Sequence, residues 1–254
     1  QCADDSFLKY QHHVHSDILF YILLPVVAFL YAAVGHGGAS GYLALMAFFS
    51  FAPDFMRPTA LLLNLAVSLI AFIQYYRQGH FDWKLFWPFA LASIPAAFIG
   101  GMLVVDAVVY KKVLAVLLLF SVIRLIGFKT QEAKTESHPQ VLIALVIGAV
   151  IGLLSGMIGI GGGIILSPVI LLLHWADMKK TAAVSALFIF VNSLAGLAGL
   201  FTKGFQLESQ MLWMLLIAFA GGALGSYFGA GHFENRKLKW ILALVLLIAS
   251  VKLM

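Results

Sequence analysis

Long apolar runs without charged side chains divide this chain. No Asp, Glu, Lys or Arg occurs within the stretches 18–52, 58–76, 85–105, 113–123, 140–176, 181–202, 209–233 and 240–251. Several of them reach the roughly 20 residues that a helix needs to cross a bilayer. The apolar residues are continuous rather than alternating, which favours helices over a β-barrel, the other structure that satisfies its own backbone in lipid. The pattern therefore predicts an all-α polytopic membrane protein.

The second half of the chain repeats the order of features of the first half. A glycine cluster inside an apolar run, Gly35-His-Gly-Gly38, recurs as Gly159-Ile-Gly-Gly-Gly163. A short apolar segment, a polar link, a long apolar span, a glycine-containing loop and a span with paired glycines follow each cluster. We therefore predict a polar tail, a first transmembrane repeat, a linker and a second transmembrane repeat, with the bounds 1–17, 18–128, 129–139 and 140–254.

Each repeat is predicted to be a Gly-broken helical hairpin followed by three transmembrane helices. A hairpin begins and ends on one side of the membrane and three further crossings end on the other, so the second repeat should be inverted relative to the first. Ten Lys and Arg residues fall on the linker's side and six on the opposite side. By the positive-inside rule, the linker is predicted to be cytoplasmic and both termini to lie outside the inner (plasma) membrane.

Composition excludes several other classes of protein. Hydrophobic residues make up 62% of the chain and charged residues only 11%, against roughly 25% charged residues in soluble domains. The net charge of +5 comes from short loops at the ends of spans, and no basic helix face predicts nucleic-acid binding. We interpret His12, His13 and His15 as part of a solvated tail rather than a metal site. Because zinc, P-loop and nucleophile motifs are missing, neither an enzymatic activity nor a cofactor is expected.

The two glycine clusters are the predicted binding site. A helix break inside the membrane frees backbone N–H and C=O groups, and glycine lets a small ligand approach them. A helix that begins just after the break presents free N–H groups and a positive dipole end, which suits an anion. We predict such helices at 39–51 and 164–173. The predicted main-chain contacts come from Gly35, Gly37, Gly38, Gly159, Gly161, Gly162 and Gly163. The paired glycines 100–101 and 221–222 are instead interpreted as close helix packing.

Polar side chains near the breaks are the remaining candidates. Asn64 and Ser185 are predicted to donate hydrogen bonds to the ligand from symmetric sides, or else to bond between helices. Ser40 and Asn192 are further candidates for substrate binding. His36 is predicted to bind the anion or carry a proton, the alternative being a neutral side chain bonded to freed backbone. We expect no Asp, Glu or Arg in the membrane interior, so neutral donors should hold the anion.

At these clusters the sequence resembles the sulfite exporter TauE/SafE family of membrane transporters. The matching features are the first glycine cluster, the segment 159–168, the start of the following span at 182–187, and the loop 79–83. The likeness covers residues 20–254, and the second-half Gly-x-Gly-Gly-Gly followed by an apolar segment and Pro is its most specific part. The resemblance implies transport of a small sulfur-containing anion such as sulfite, thiosulfate or an organosulfonate.

The resulting hypothesis is a secondary transporter that works by alternating access, with its substrate held between the two breaks. The alternatives are an anion channel and a carrier of another small organic anion, whereas a scaffold has no need of paired helix interruptions. The expected partners are the anionic substrate and the lipid bilayer, without nucleic acid. A homodimer, the coupling ion and the direction of transport are left open.

Overall fold

A computed structural model describes residues 18–32, 38–127, 139–229 and 236–253, and these residues form helices without a strand. The helices of the first half are α1 Ile18–Ala32, α2 Ala39–Phe48, α3 Pro53–Arg77, α4 Trp83–Met102 and α5 Ala107–Gly127. Those of the second half are α6 Val141–Ile158, α7 Gly163–Leu172, α8 Met178–Phe201, α9 Ser209–Gly229 and α10 Arg236–Leu253.

The prediction of an all-α polytopic membrane protein is confirmed. Within the described ranges, five helices are long and apolar enough to cross a membrane, namely α3, α4, α6, α8 and most of α9. Within the described ranges, each half has five helices, and the second helix of each half, α2 or α7, is short, with 10 residues. The inverted relation of the two halves stays a prediction.

Local sequence signals set the helix bounds. Pro53 occupies the first turn of α3, where its missing N–H costs nothing. Asp82 and Asp177 cap α4 and α8, and their side chains accept hydrogen bonds from backbone N–H groups of the first turn. Gly79 and Gly204 take left-handed conformations in the loops that follow α3 and α8, with φ of 75° and 81°. α3 thus begins before the charge-free stretch at residue 58, so Arg57 lies inside the helix.

Glycines bring helices of opposite halves into backbone contact. Three glycines of α6, spaced by four residues, share one helix face against α4. A Cβ added to them would overlap α4 carbonyl oxygens, in the pairs Gly148–Phe89, Gly152–Ser93 and Gly156–Ala97. The predicted packing glycines behave likewise: Gly100 and Gly101 meet the backbones of α6 and α8, Gly221 meets the backbone of α1, and Gly222 meets Val67 of α3. The packing interpretation of these two pairs is therefore confirmed.

Buried apolar side chains form two clusters. The first joins α1, α2, α3, α5, α9 and α10, and the second joins α4, α6, α7 and α8. The two clusters meet at the connection between α6 and α7. Ile158, Ile160 and Ile164 belong to the first cluster. Ile151 and Leu166 belong to the second cluster.

Candidate functional site

The second predicted break is the chain segment between α6 and α7. Gly159, Gly161 and Gly162 have φ of 88°, 73° and 81°, which places all three in the left-handed region. Glycine adopts this region without a steric penalty, so the chain can leave one helix and begin the next within a few residues. The helix predicted at 164–173 is confirmed as Gly163–Leu172.

The first predicted break has one described member. Gly38 is the N-cap of α2, with φ of 74°, and it matches Gly162, the N-cap of α7 with φ of 81°. Neither helix start receives a hydrogen bond from a capping side chain. Gly35, His36 and Gly37 lie outside the described residues.

Side chains of the first half satisfy the carboxyl end of α6. The last carbonyl groups of a helix have no partner inside the helix. Three bonds reach them here: Arg57 Nε donates to Gly156 O at 2.8 Å, Tyr110 Oη to Ile158 O at 2.9 Å, and Asn64 Nδ2 to Gly159 O at 3.4 Å. The negative end of the α6 dipole is therefore both hydrogen-bonded and adjacent to a cation.

Arg57 also closes the carboxyl end of α4. Its Nη1 donates to Leu103 O at 2.9 Å, and its Nη2 donates to Gly100 O at 2.6 Å and Gly101 O at 2.8 Å. Only 7% of its surface is exposed. Arg57 therefore lies in the protein interior, whereas the expectation that the membrane interior holds no Arg stays a prediction. The helix-initiating Pro53 is the signal that would have placed Arg57 inside α3.

The amino end of α7 is left open. The helical ladder begins with the N–H groups of Ile165 and Leu166, which both donate to Gly162 O. In the described part of the chain, the N–H groups of residues 160–164 donate no hydrogen bond to the protein. They carry the positive end of the α7 dipole, about half an elementary charge. Such a helix start is a ready-made anion site.

Two side chains beside this amino end have polar atoms without a partner among the described residues. A Cβ on Gly161 would lie 2.8 Å from Asn64 Nδ2, 2.8 Å from Ile189 Cγ2 and 3.4 Å from Ser193 Oγ. Asn64 Oδ1 and Ser193 Oγ are both buried and bond to no described residue. Because buried polar atoms are nearly always paired, these two are candidates to bind a ligand or a water molecule.

The other predicted side chains have partners within the protein. Ser185 Oγ lies 2.8 Å from Ser167 Oγ, which bonds to Gly163 O at 2.7 Å and so ties α8 to α7. Ser40 donates to Tyr31 Oη at 3.0 Å, and Asn192 Nδ2 donates to Phe188 O of its own helix at 2.8 Å. The Oδ1 atom of Asn192 is buried without a partner among the described residues.

Asn64 and Ser185 both lie beside the second hairpin, Asn64 at the break and Ser185 against α7. Both side chains therefore bond between helices, which is the alternative that the sequence left open, and their contact with a ligand stays a prediction. Their positions do not match along the two helices: Asn64 lies about one turn further into α3, which begins at Pro53, than Ser185 lies into α8, which begins at Met178.

Tyr42 is a further polar residue that the sequence reasoning missed. A Cβ on Gly38 would lie 2.6 Å from Tyr42 Cζ, and the buried Tyr42 hydroxyl bonds to no described residue. Tyr42 follows Gly38 by one helical turn, which is the spacing that could have identified it. Among the described residues, no group of His, Cys, Asp or Glu side chains could hold a metal ion.

Comparison with known proteins identifies the family. The model of the family "Sulfite exporter TauE/SafE" matches residues 20–253. The probable membrane transporter protein y4hK of Sinorhizobium fredii is 37% identical over 90% of this chain and 94% of its own length. The probable membrane transporter protein YjnA of Bacillus subtilis is 24% identical over 89% of this chain and 95% of its own length. No solved structure matches the chain significantly. The chain therefore belongs to the sulfite exporter TauE/SafE family of membrane transporters.

Proposed function

We propose that this protein is a secondary transporter that carries a small sulfur-containing anion, such as sulfite, thiosulfate or an organosulfonate, across the inner (plasma) membrane. The observation that carries the proposal is the amino end of α7, where the N–H groups of residues 160–164 have no partner among the residues that the structure describes. Membership of a family described as sulfite exporters supports the substrate class.

The chemistry of the site suits a sulfur oxyanion. The negative charge of such an anion is spread over several oxygens. These oxygens can accept hydrogen bonds from the N–H groups of the break and from the Ser193 hydroxyl. Asn64 Nδ2 is committed to Gly159 O, so its Oδ1 is available as an acceptor. A protonated anion such as hydrogen sulfite would supply the matching O–H. Because these donors at the break are uncharged, the site can release the anion as well as bind it.

The proposed transport cycle is alternating access. The α6–α7 break lies where the two apolar clusters meet, so movement of one cluster against the other would change which side of the membrane it faces. We propose that both termini lie outside and that the linker 129–139 is cytoplasmic, following the distribution of Lys and Arg.

A thermal-shift screen tests the substrate class. Purified protein would be heated with sulfite, thiosulfate, sulfate, taurine, sulfoacetate or acetate at matched ionic strength. A ligand that binds the folded state at 100 times its Kd adds about 2.7 kcal/mol to stability and raises Tm. We expect sulfite or another sulfur anion to raise Tm and acetate to have no effect. If no sulfur anion raises Tm, the proposed substrate class is wrong.

Flux in proteoliposomes separates a carrier from a channel. A carrier reorients once per substrate, so its uptake should saturate with anion concentration and should accelerate when the opposite compartment also contains the anion. A channel lined by the same neutral donors would instead give unitary currents in a planar bilayer. Such currents, without acceleration by internal anion, would contradict alternating access.

A further inference from the structure

A second polar feature lies at the start of α3, outside the break. There, an open cleft of about 130 Å³ is lined by Asp54 and Arg57 of α3, Leu103 after α4, Tyr110 of α5 and Lys203 after α8. Lys203 and Asp54 are exposed at the surface, whereas Arg57 lies at the buried end of the cleft.

The charge of Arg57 is not cancelled by its partners. Its four hydrogen bonds all go to neutral carbonyl oxygens, and no carboxylate in the described part of the chain forms an ion pair with it. A guanidinium has five N–H donors, so one of the two on Nη1 remains available. Asp54 is the nearest carboxylate in the cleft but forms no direct ion pair with Arg57. A buried cation without a direct ion pair is costly, and in a membrane protein it marks a functional site by default.

The balance of charge in the cleft favours an anion. Two cations, Arg57 and Lys203, face one carboxylate, Asp54. Apolar walls between charges of one sign concentrate the field and raise the local concentration of the opposite ion.

Arg57 borders the cleft on one side and the α6–α7 break on the other. A Cβ on Gly159 would lie 2.8 Å from the Arg57 carbonyl oxygen, and the guanidinium reaches Gly156 near the end of α6. An anion in the cleft would therefore be separated from the break by a single residue.

We propose that this cleft is a loading site for the transported anion, with Lys203 as its outer cation and Arg57 as its inner cation. This inference rests on the proposed function, because it takes the ligand to be the sulfur anion that the break binds. The site captures the free anion from water before it reaches the break. The loading site therefore affects KM for the anion on the side of the membrane that the cleft faces. It does not affect kcat, which depends on the rate at which the carrier reorients.

Exposed residues allow a test without loss of the fold. Uptake of radiolabelled sulfite would be measured in vesicles of phosphatidylcholine alone for wild type, Lys203→Gln, Asp54→Asn and Lys112→Gln. Lys112 is an exposed lysine of α5 that does not line the cleft, so it is the matched control. We expect KM to rise about twofold to fivefold for Lys203→Gln and to fall by a similar factor for Asp54→Asn, since exposed charges act with this strength. The kcat of both variants, and both constants of Lys112→Gln, should stay at the wild-type values.

The outcomes separate this site from the proposed function. If wild type carries sulfite but Lys203→Gln and Asp54→Asn change KM no more than Lys112→Gln does, the loading site is refuted and the transporter stands. If the change with Lys203→Gln requires added phosphatidylglycerol, the cleft holds a lipid headgroup and the proposal is wrong. If wild type carries no sulfur anion, the proposed function fails and the loading site fails with it.

Discussion

The two helix ends that meet at residues 159–162 are treated in opposite ways. At the carboxyl end of α6, side chains from α3 and α5 donate to the carbonyl groups of Gly156, Ile158 and Gly159. At the amino end of α7, the N–H groups of residues 160–164 have no protein partner in the described part of the chain. Both ends are buried, so both should need partners.

The difference in hydrogen bonding between the two helix ends bears on the role of the break. A break that served only to bend the chain would have both ends satisfied by the protein. Here side chains hold the negative end, and no described residue bonds to the positive end, which fits the ligand that we propose there. Side chains of the first half hold the carboxyl end of α6, and the amino end of α7 belongs to the second half. A ligand at the amino end of α7 would therefore bridge the two halves.

The largest expected effect comes from Arg57→Gln, which removes the cation from the satisfied end. It leaves the buried carbonyl groups of Gly156 and Gly101 without a side-chain donor and removes one of the two donors to Gly100 O, so we expect a loss of about 3 kcal/mol in unfolding free energy. Thermal unfolding in detergent would measure it. Arg77→Gln, at the exposed end of the same helix, is the control and should stay within about 0.5 kcal/mol of wild type. Equal stability of the two variants would show that the carbonyl groups at the carboxyl end of α6 do not need hydrogen bonds from Arg57.

Gly161→Ala should block the open end. The added methyl group would contact Asn64 and Ile189 in the space that the anion is proposed to use, and the left-handed conformation costs roughly 1–2 kcal/mol. Gly204→Ala is a matched control, since Gly204 has φ of 81° and nothing lies within 4 Å of an added Cβ. We expect both variants to lose stability but only Gly161→Ala to lose the rise in Tm with sulfite. A sulfite response kept by Gly161→Ala would place the anion elsewhere.

Asn64→Leu should affect both ends at once. It removes the donor to Gly159 O and the free Oδ1 beside Gly161 while keeping the side-chain volume similar. We expect about 1–2 kcal/mol lower stability and about tenfold weaker sulfite binding, measured by thermal unfolding and by titration calorimetry. Loss of stability with unchanged binding would assign Asn64 to the α6 end alone.

Ser193→Ala has the smallest expected effect, and it should weaken sulfite binding without lowering stability. Its hydroxyl is buried and bonds to no described residue, so removing it should leave the unfolding free energy unchanged or slightly raised. Sulfite binding should weaken about fivefold, the effect of one lost hydrogen bond of about 1 kcal/mol. Ser121→Ala is the control, because its hydroxyl bonds to Leu117 O of its own helix. A clear loss of stability in Ser193→Ala would indicate a structural role instead.

The sequence predicted the features that depend on local order. Apolar runs gave the spans, and the glycine cluster gave the break at 159–162, because both are set by neighbouring residues. The partners of the break could not be found in this way. Arg57 and the Gly156 carbonyl are 99 residues apart, and their bond depends on α6 lying against α4 of the other half. The free hydroxyl of Ser193 is likewise visible only once every neighbour is in place.

Amide hydrogen exchange at the α6–α7 connection tests the central claim most directly. Exchange would be followed by mass spectrometry in a peptide covering residues 159–166, with and without sulfite at saturating concentration. If the anion accepts hydrogen bonds from the N–H groups of residues 160–164, sulfite should slow exchange in this peptide in wild type and Gly204→Ala but not in Gly161→Ala. Equal exchange with and without bound sulfite in wild type would contradict the account.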